Sequence, residues 1–206
     1  MSISGFQRAL SDMTLDTRFA SSVRNSGAEV LVAYELTPVE QRRLVDLARQ
    51  RAMDLNCTLS RGNRFAPIVE MYPLTCELLK DDLRGLLDEL WSRHRPDNYQ
   101  LAGEDVAFAE FLSERLGSGQ LTHPYADEVF RYEAECVALA KSLRYMSSDD
   151  LARDSAAPFR RTHFRHDPRI VLRSLERREP PPPDLPEGNY SVRITLRGDS
   201  LHVDLD

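Results

Sequence analysis

The sequence predicts an α+β chain: an all-α helical bundle over residues 1–150, then a small β-α-β-β module over residues 158–206. Three observations predict it. Up to Tyr145, apolar residues recur at i, i+3, i+4 and i+7, the spacing of helices with one buried face. From Met146 to Pro158 the chain turns polar and small, the composition of a connecting loop. Beyond it, Asn189–Leu196 and Leu201–Leu205 alternate with period two, and Arg197-Gly198-Asp199-Ser200 supplies the turn of a hairpin between them.

Taken in order, Asp12 or Thr14 is positioned to cap a short helix carrying Leu15, Phe19 and Val23, and Ala28–Tyr34 reads as a second one. In Leu36–Glu40, Thr37 is an N-cap, Pro38 fills the first helical position and Glu40 completes a capping box, which predicts a helix to Leu55. Leu59–Leu79 is the organising stretch. Phe65, Ile68, Val69 and Tyr72 form its apolar stripe, with Arg61, Arg64 and Glu70 off it. Pro67 predicts a kink or a late start there, because it removes a backbone hydrogen bond, and Pro73 ends the element by driving Tyr72 out of the helical region.

Asp81 and Asp82 open a helix with Leu83, Leu86, Leu87, Leu90 and Trp91 on one side, closed by Pro96. Gly103 and Glu104 begin another, which carries Phe108, Phe111 and Leu112 and ends at Gly117 and Gly119. His123-Pro124-Tyr125 leads into a long helix to Tyr145. In the tail, Phe159–Arg165 reads as a strand, Asp167-Pro168 as the cap of a helix to Arg177, and Pro180–Pro183 as a stiff spacer.

Composition narrows the function classes. The formal charge is −6 and the sequence pI about 5.4, which argues against generic nucleic-acid binding. Cys57, Cys76 and Cys136 have no CxxC spacing and read as reduced, buried thiols rather than zinc ligands. His163, His166 and His202 lack carboxylate or thiol companions at ligand spacing, so no metal is expected on this chain. Hydrolase and nucleotide-binding motifs are missing. No secretory leader pattern opens the chain and no run approaches the roughly 20 apolar residues that span a bilayer, so a cytoplasmic protein without membrane contact is expected.

Several stretches together resemble one bacterial family. They are Arg64-Phe65-Ala66-Pro67-Ile68-Val69 with Tyr72-Pro73 and Leu78-Leu79, then Asp105–Leu112, then Pro124-Tyr125 with Asp127 and Arg131-Tyr132-Glu133. Phe164–Pro168 and Gly188–Val192 extend the match to the tail, and Leu36–Leu44 is similar to a short helical element of peptide-modification systems. The family is the accessory partner proteins of multinuclear non-haem iron-dependent oxidative enzymes, which modify ribosomally made precursor peptides on the way to methanobactin, thiaglutamate-type and aminopyruvate-type products. The helical part also resembles a related family named for a DNA-binding domain. The resemblance implies a non-catalytic subunit that docks on the iron enzyme as a heterodimer and recruits the precursor by its leader, with no cofactor of its own and the iron confined to the partner. The tail module then resembles a peptide-recognition element.

Two sets of residues follow. Between Phe159 and Glu179 seven arginines face three acids, a basic surface that suits an acidic leader, and an exposed strand edge can accept a peptide as an added strand. Phe159, Arg160, Arg161, His163, Phe164, Arg165, Arg169, Arg173 and Tyr190 are the expected peptide-binding residues, with the Phe159–Arg165 edge favoured. Arg64, Arg93, His94, Tyr99, His123 and Tyr125 are the expected enzyme-docking residues. The rival readings are a DNA-binding transcriptional regulator using Pro168–Arg177 as its recognition helix, and an independent enzyme, for which no catalytic constellation is present.

Overall fold

In the computed structural model, which describes residues 3–94, 103–143, 158–197 and 200–205, the chain is mixed α+β: mainly helical, with a small antiparallel sheet near the C-terminus. It divides into two compact units. One comprises residues 1–67 with 91–104, the other residues 68–90 with 105–206. The expected division between residues 150 and 158 falls inside the second unit. Among the described residues no helix is long and apolar enough to cross a membrane.

The first unit is built from α1 (Ile3–Leu15), α2 (Thr17–Ser26), a 3-10 turn (Gly27–Leu31), α3 (Pro38–Ala48) and most of α4 (Arg51–Met71). The first two helices correct the expected cap. The side chain of Asp16, not of Asp12 or Thr14, caps α2 by accepting the Arg18 and Phe19 N–H groups. Asp12 instead accepts the Tyr34 hydroxyl at 2.6 Å. Gly5 is required where it stands, since a Cβ there would lie 2.7 Å from the Glu35 carbonyl oxygen. The capping box of Thr37 and Glu40 forms as its sequence predicts. The helix behind it stops at Ala48, and a new one starts at Arg51 and runs through Pro67 to Met71, so Pro67 does not mark a late start. Met13, Val23, Leu31, Leu44, Ala48 and Cys57 form the core of this unit.

The second unit takes in the end of α4, then α5 (Pro73–Leu78), most of α6 (Leu83–Arg93) and of α7 (Glu104–Gly117), and α8 (Ala126–Leu143), followed by β1 (Phe159–Phe164), α9 (Pro168–Glu176), β2 (Tyr190–Arg197) and β3 (Ser200–Leu205). The α5 helix has six residues and no capping side chain of its own. Glu133 on α8 caps it from a distance, accepting the Leu74 and Thr75 N–H groups at 2.8 Å each. Tyr72 packs against the rings of Phe108 and Phe130 with centroids 5.8 and 5.7 Å away.

The sheet order is β1-β2-β3, antiparallel throughout. The strands and α9 share one core with α8 and the residue before it: Tyr125, Val129 and Leu139 pack with Phe164, Val171, Leu175, Val192, Ile194 and Leu196. Arg160, Thr162 and Phe164 therefore lie on the core face of β1, and Phe159, Arg161 and His163 on the outer face.

Candidate functional site

The sheet margins are the feature with binding geometry. The Leu196 N–H donates to the Pro158 carbonyl at 3.0 Å. In an antiparallel ladder hydrogen-bonded pairs alternate, so the even residues of β2 address β1 and the odd ones address β3. The register Arg197↔Ser200, Thr195↔His202, Arg193↔Asp204 then turns the main-chain groups of Ser200, His202 and Asp204 toward β2. Those of Leu201, Val203 and Leu205 face outward. The side chains of Leu201 and Val203, 38% and 41% exposed, continue the apolar row of Leu196 and Ile194 past the end of the core.

The margin of β1 is more encumbered. Helix α8 packs against the core face of the sheet and contacts this strand. Glu128 on α8 accepts the Arg165 N–H at 2.6 Å and pairs with the buried His166 Nδ1 at 2.6 Å. Glu135 stands 3.7 Å from Arg160 Nε. The sequence favours Phe159–Arg165 as the receiving edge; in the structure β1 and β3 are the two edge strands, and β3 is the one whose outward main chain stands beside exposed apolar side chains.

The outer face of the sheet is polar, with two arginines and one acid among its described charged residues. It carries Arg161 and His163 on β1, Arg193 on β2, and His202 and Asp204 on β3. The Arg193 guanidinium lies 4.3 Å from the centroid of the exposed Phe159 ring, a cation–π contact. On α9, Arg169 is held by Asp167 at 2.8 Å, and with Arg173 and Arg177 it borders a shallow depression of about 320 Å³. Arg165 borders a separate cleft of about 410 Å³ with Thr122, His123 and Glu128. Burial lowers the His123 pKa below the ordinary imidazole value, against a smaller opposing effect of Asp82.

Of the expected peptide-binding residues, Phe159, Arg160, Arg161, His163, Arg165, Arg169 and Arg173 are exposed and Tyr190 is half-buried. Phe164 is a correction. It is 2% exposed and closes the core against Tyr132, with ring centroids 6.1 Å apart, since alternation puts it on the inner face. Two expected docking residues are corrected in the same way. Arg64 is 2% exposed, with its Nε donating to Glu104 Oε1 at 2.6 Å and its Nη2 to the His94 carbonyl at 2.9 Å. Tyr125 is 2% exposed and its hydroxyl donates to the Pro182 carbonyl. Arg93 is exposed, His94 and His123 are half-buried, and Tyr99 lies outside the described residues.

Among the described residues no three His, Cys, Asp or Glu side chains converge to hold a metal. The pairings explain the separation of the histidines. His163 sits opposite Ser191 and His202 opposite Thr195, about 13 Å apart along the strands and two strands apart across the sheet, while His166 is turned to Glu128. Sequence reasoning missed Arg193, His202 and Asp204 as surface residues of one face. The period-two alternation contained that signal, but the strand order was needed to use it. No family model, curated protein or solved structure matches this chain.

Proposed function

We propose that the chain is a non-catalytic binding subunit. It receives an extended, acidic precursor peptide on the margin of its C-terminal sheet and presents it to a multinuclear non-haem iron-dependent oxidative enzyme. The observation that carries this reading is the outward main chain of Leu201 and Val203 beside their exposed side chains. A peptide strand there gains main-chain hydrogen bonds from the margin, and pockets beside alternate side chains supply selectivity. Apolar residues of the peptide would continue the Leu201–Val203 row, and acids between them would lie on the side of Arg161 and Arg193. Oxidation belongs to the enzyme, and its iron with it. The family resemblance of Arg64–Val69, Asp105–Leu112 and Arg131–Glu133 supports the choice of partner.

The test is size-exclusion chromatography of the purified chain with a multinuclear non-haem iron oxidative enzyme and a precursor peptide of the same genome, followed by a fluorescence-anisotropy titration of the labelled precursor. A ternary complex is expected, with peptide affinity lost in Val203→Pro, which removes an outward main-chain N–H of β3 without touching the shared core. Three separately eluting species would overturn the proposal.

A DNA-binding regulator is the second reading, favoured by Arg169 and Arg173 on α9 and Arg177 at its C-cap. That helix has only nine residues. A salt-dependent gel shift with promoter DNA would establish it.

A further inference from the structure

We infer that the β3 margin is self-complementary and pairs with the same strand of a second copy of this chain. The outward residues of β3 are Leu201, Val203 and Leu205, two apart. A two-fold axis through Val203 sets Val203 against its own copy and Leu201 against Leu205 as hydrogen-bonded pairs, using only main-chain groups that already face outward. The same register sets His202 opposite Asp204, twice by symmetry, as non-hydrogen-bonded pairs with their side chains at closest approach.

The charge pattern selects this register over its neighbour. A shift that placed the axis through His202 would bring the two imidazoles face to face and leave Asp204 opposite Ser200. Both His202 and Asp204 are exposed and point to the outer face. Within the chain Asp204 lies opposite Arg193, but the guanidinium of that arginine is turned onto the Phe159 ring, and among the described residues no ion pair joins it to Asp204. Asp204 is thus available to a partner strand. The exposed apolar row of Leu201 and Val203 becomes continuous across the two copies, and two three-stranded sheets become one of six strands. Such an edge contact buries little area, so the dimer is weak and concentration-dependent. Where the peptide-capture reading holds, the second copy and the peptide exclude one another, which keeps an unoccupied margin covered.

Sedimentation velocity of the full chain without peptide tests the inference. A monomer–dimer equilibrium is expected. Val203→Pro removes an outward N–H and leaves the β2–β3 ladder intact, so it gives a monomer with unchanged circular dichroism. His202→Asp weakens the dimer about tenfold or more by setting acids opposite acids, and adding Asp204→His in the same chain restores it. A monomer at every concentration up to about 1 mM overturns the inference. So does a dimer that survives Val203→Pro, or a charge exchange that fails to rescue His202→Asp. Peptide binding by a strictly monomeric chain would remove the dimer and leave peptide capture standing; a dimer that ignores the precursor would do the reverse.

Discussion

Arg64 donates from Nε to Oε1 of Glu104 at 2.6 Å, and the two side chains are 2% and 1% exposed. The pair is fully enclosed by partners. Arg64 also reaches the His94 carbonyl, Trp91 Nε1–H donates to Glu104 Oε2 at 3.2 Å, and the Arg64 guanidinium lies 5.0 Å from the centroid of the Trp91 ring. A buried charge is tolerable only while such partners remain.

Removing either member of this pair should therefore be severe. Arg64→Met or Glu104→Gln is expected to cost about 3–5 kcal/mol, because each leaves an uncompensated or unbonded polar group in the interior. The double replacement should cost much less than the sum of the two. Urea unfolding of the four proteins forms the double-mutant cycle that checks this.

Glu133 organises the start of α5. Replacing it by Ala leaves the Leu74 and Thr75 N–H groups without their acceptor, at about 1–3 kcal/mol each where burial is complete. Burial raises the pKa of Glu133 above its ordinary 4.5, with the bonds from Thr75 and Leu74 opposing it. A raised folded value means that the native state holds the proton more tightly. This contribution is full below the unfolded pKa and is lost as pH rises through the folded one. Glu133→Gln should flatten that part of the stability curve, read by thermal unfolding above pH 4.5.

His123 titrates with the opposite sign. Burial lowers its pKa, so the folded chain holds the neutral ring and binds the proton less readily than the unfolded chain does. Its contribution is present above the ordinary value of 6.5 and is lost as pH falls through the folded pKa. His123→Gln should reduce the loss of melting temperature over that interval, and an unchanged slope would refute the assignment.

Asp167 caps α9, with its side chain accepting the Arg169 N–H at 3.0 Å while Pro168 occupies the first helical position. Asp167→Ala should destabilise the protein by about 1 kcal/mol, and Asp167→Asn by less. Guanidinium unfolding measures both. Because α9 contributes Val171 and Leu175 to the core beneath the sheet, hydrogen exchange in β1 should rise in the same variant.

The sequence by itself determined the features whose physics spans a few residues. Thr37 and Glu40 form their capping box, Asp167 and Pro168 start α9, Pro73 ends the long helix, and the two period-two segments pair as a hairpin. Each depends on side chain and backbone atoms that are adjacent in the chain. Only the tertiary structure decided which polar residues are interior and which strands lie at the sheet's edges. Arg64 lies off its helix's apolar stripe yet is buried, because Glu104 arrives 40 residues later to pair with it. Val69 lies on that stripe yet is 39% exposed. Glu133 caps a helix 58 residues before it, and Glu128 takes the Arg165 N–H beyond the end of β1. Such outcomes follow from long-range pairing of groups that must be satisfied together, and no local spacing encodes the partner.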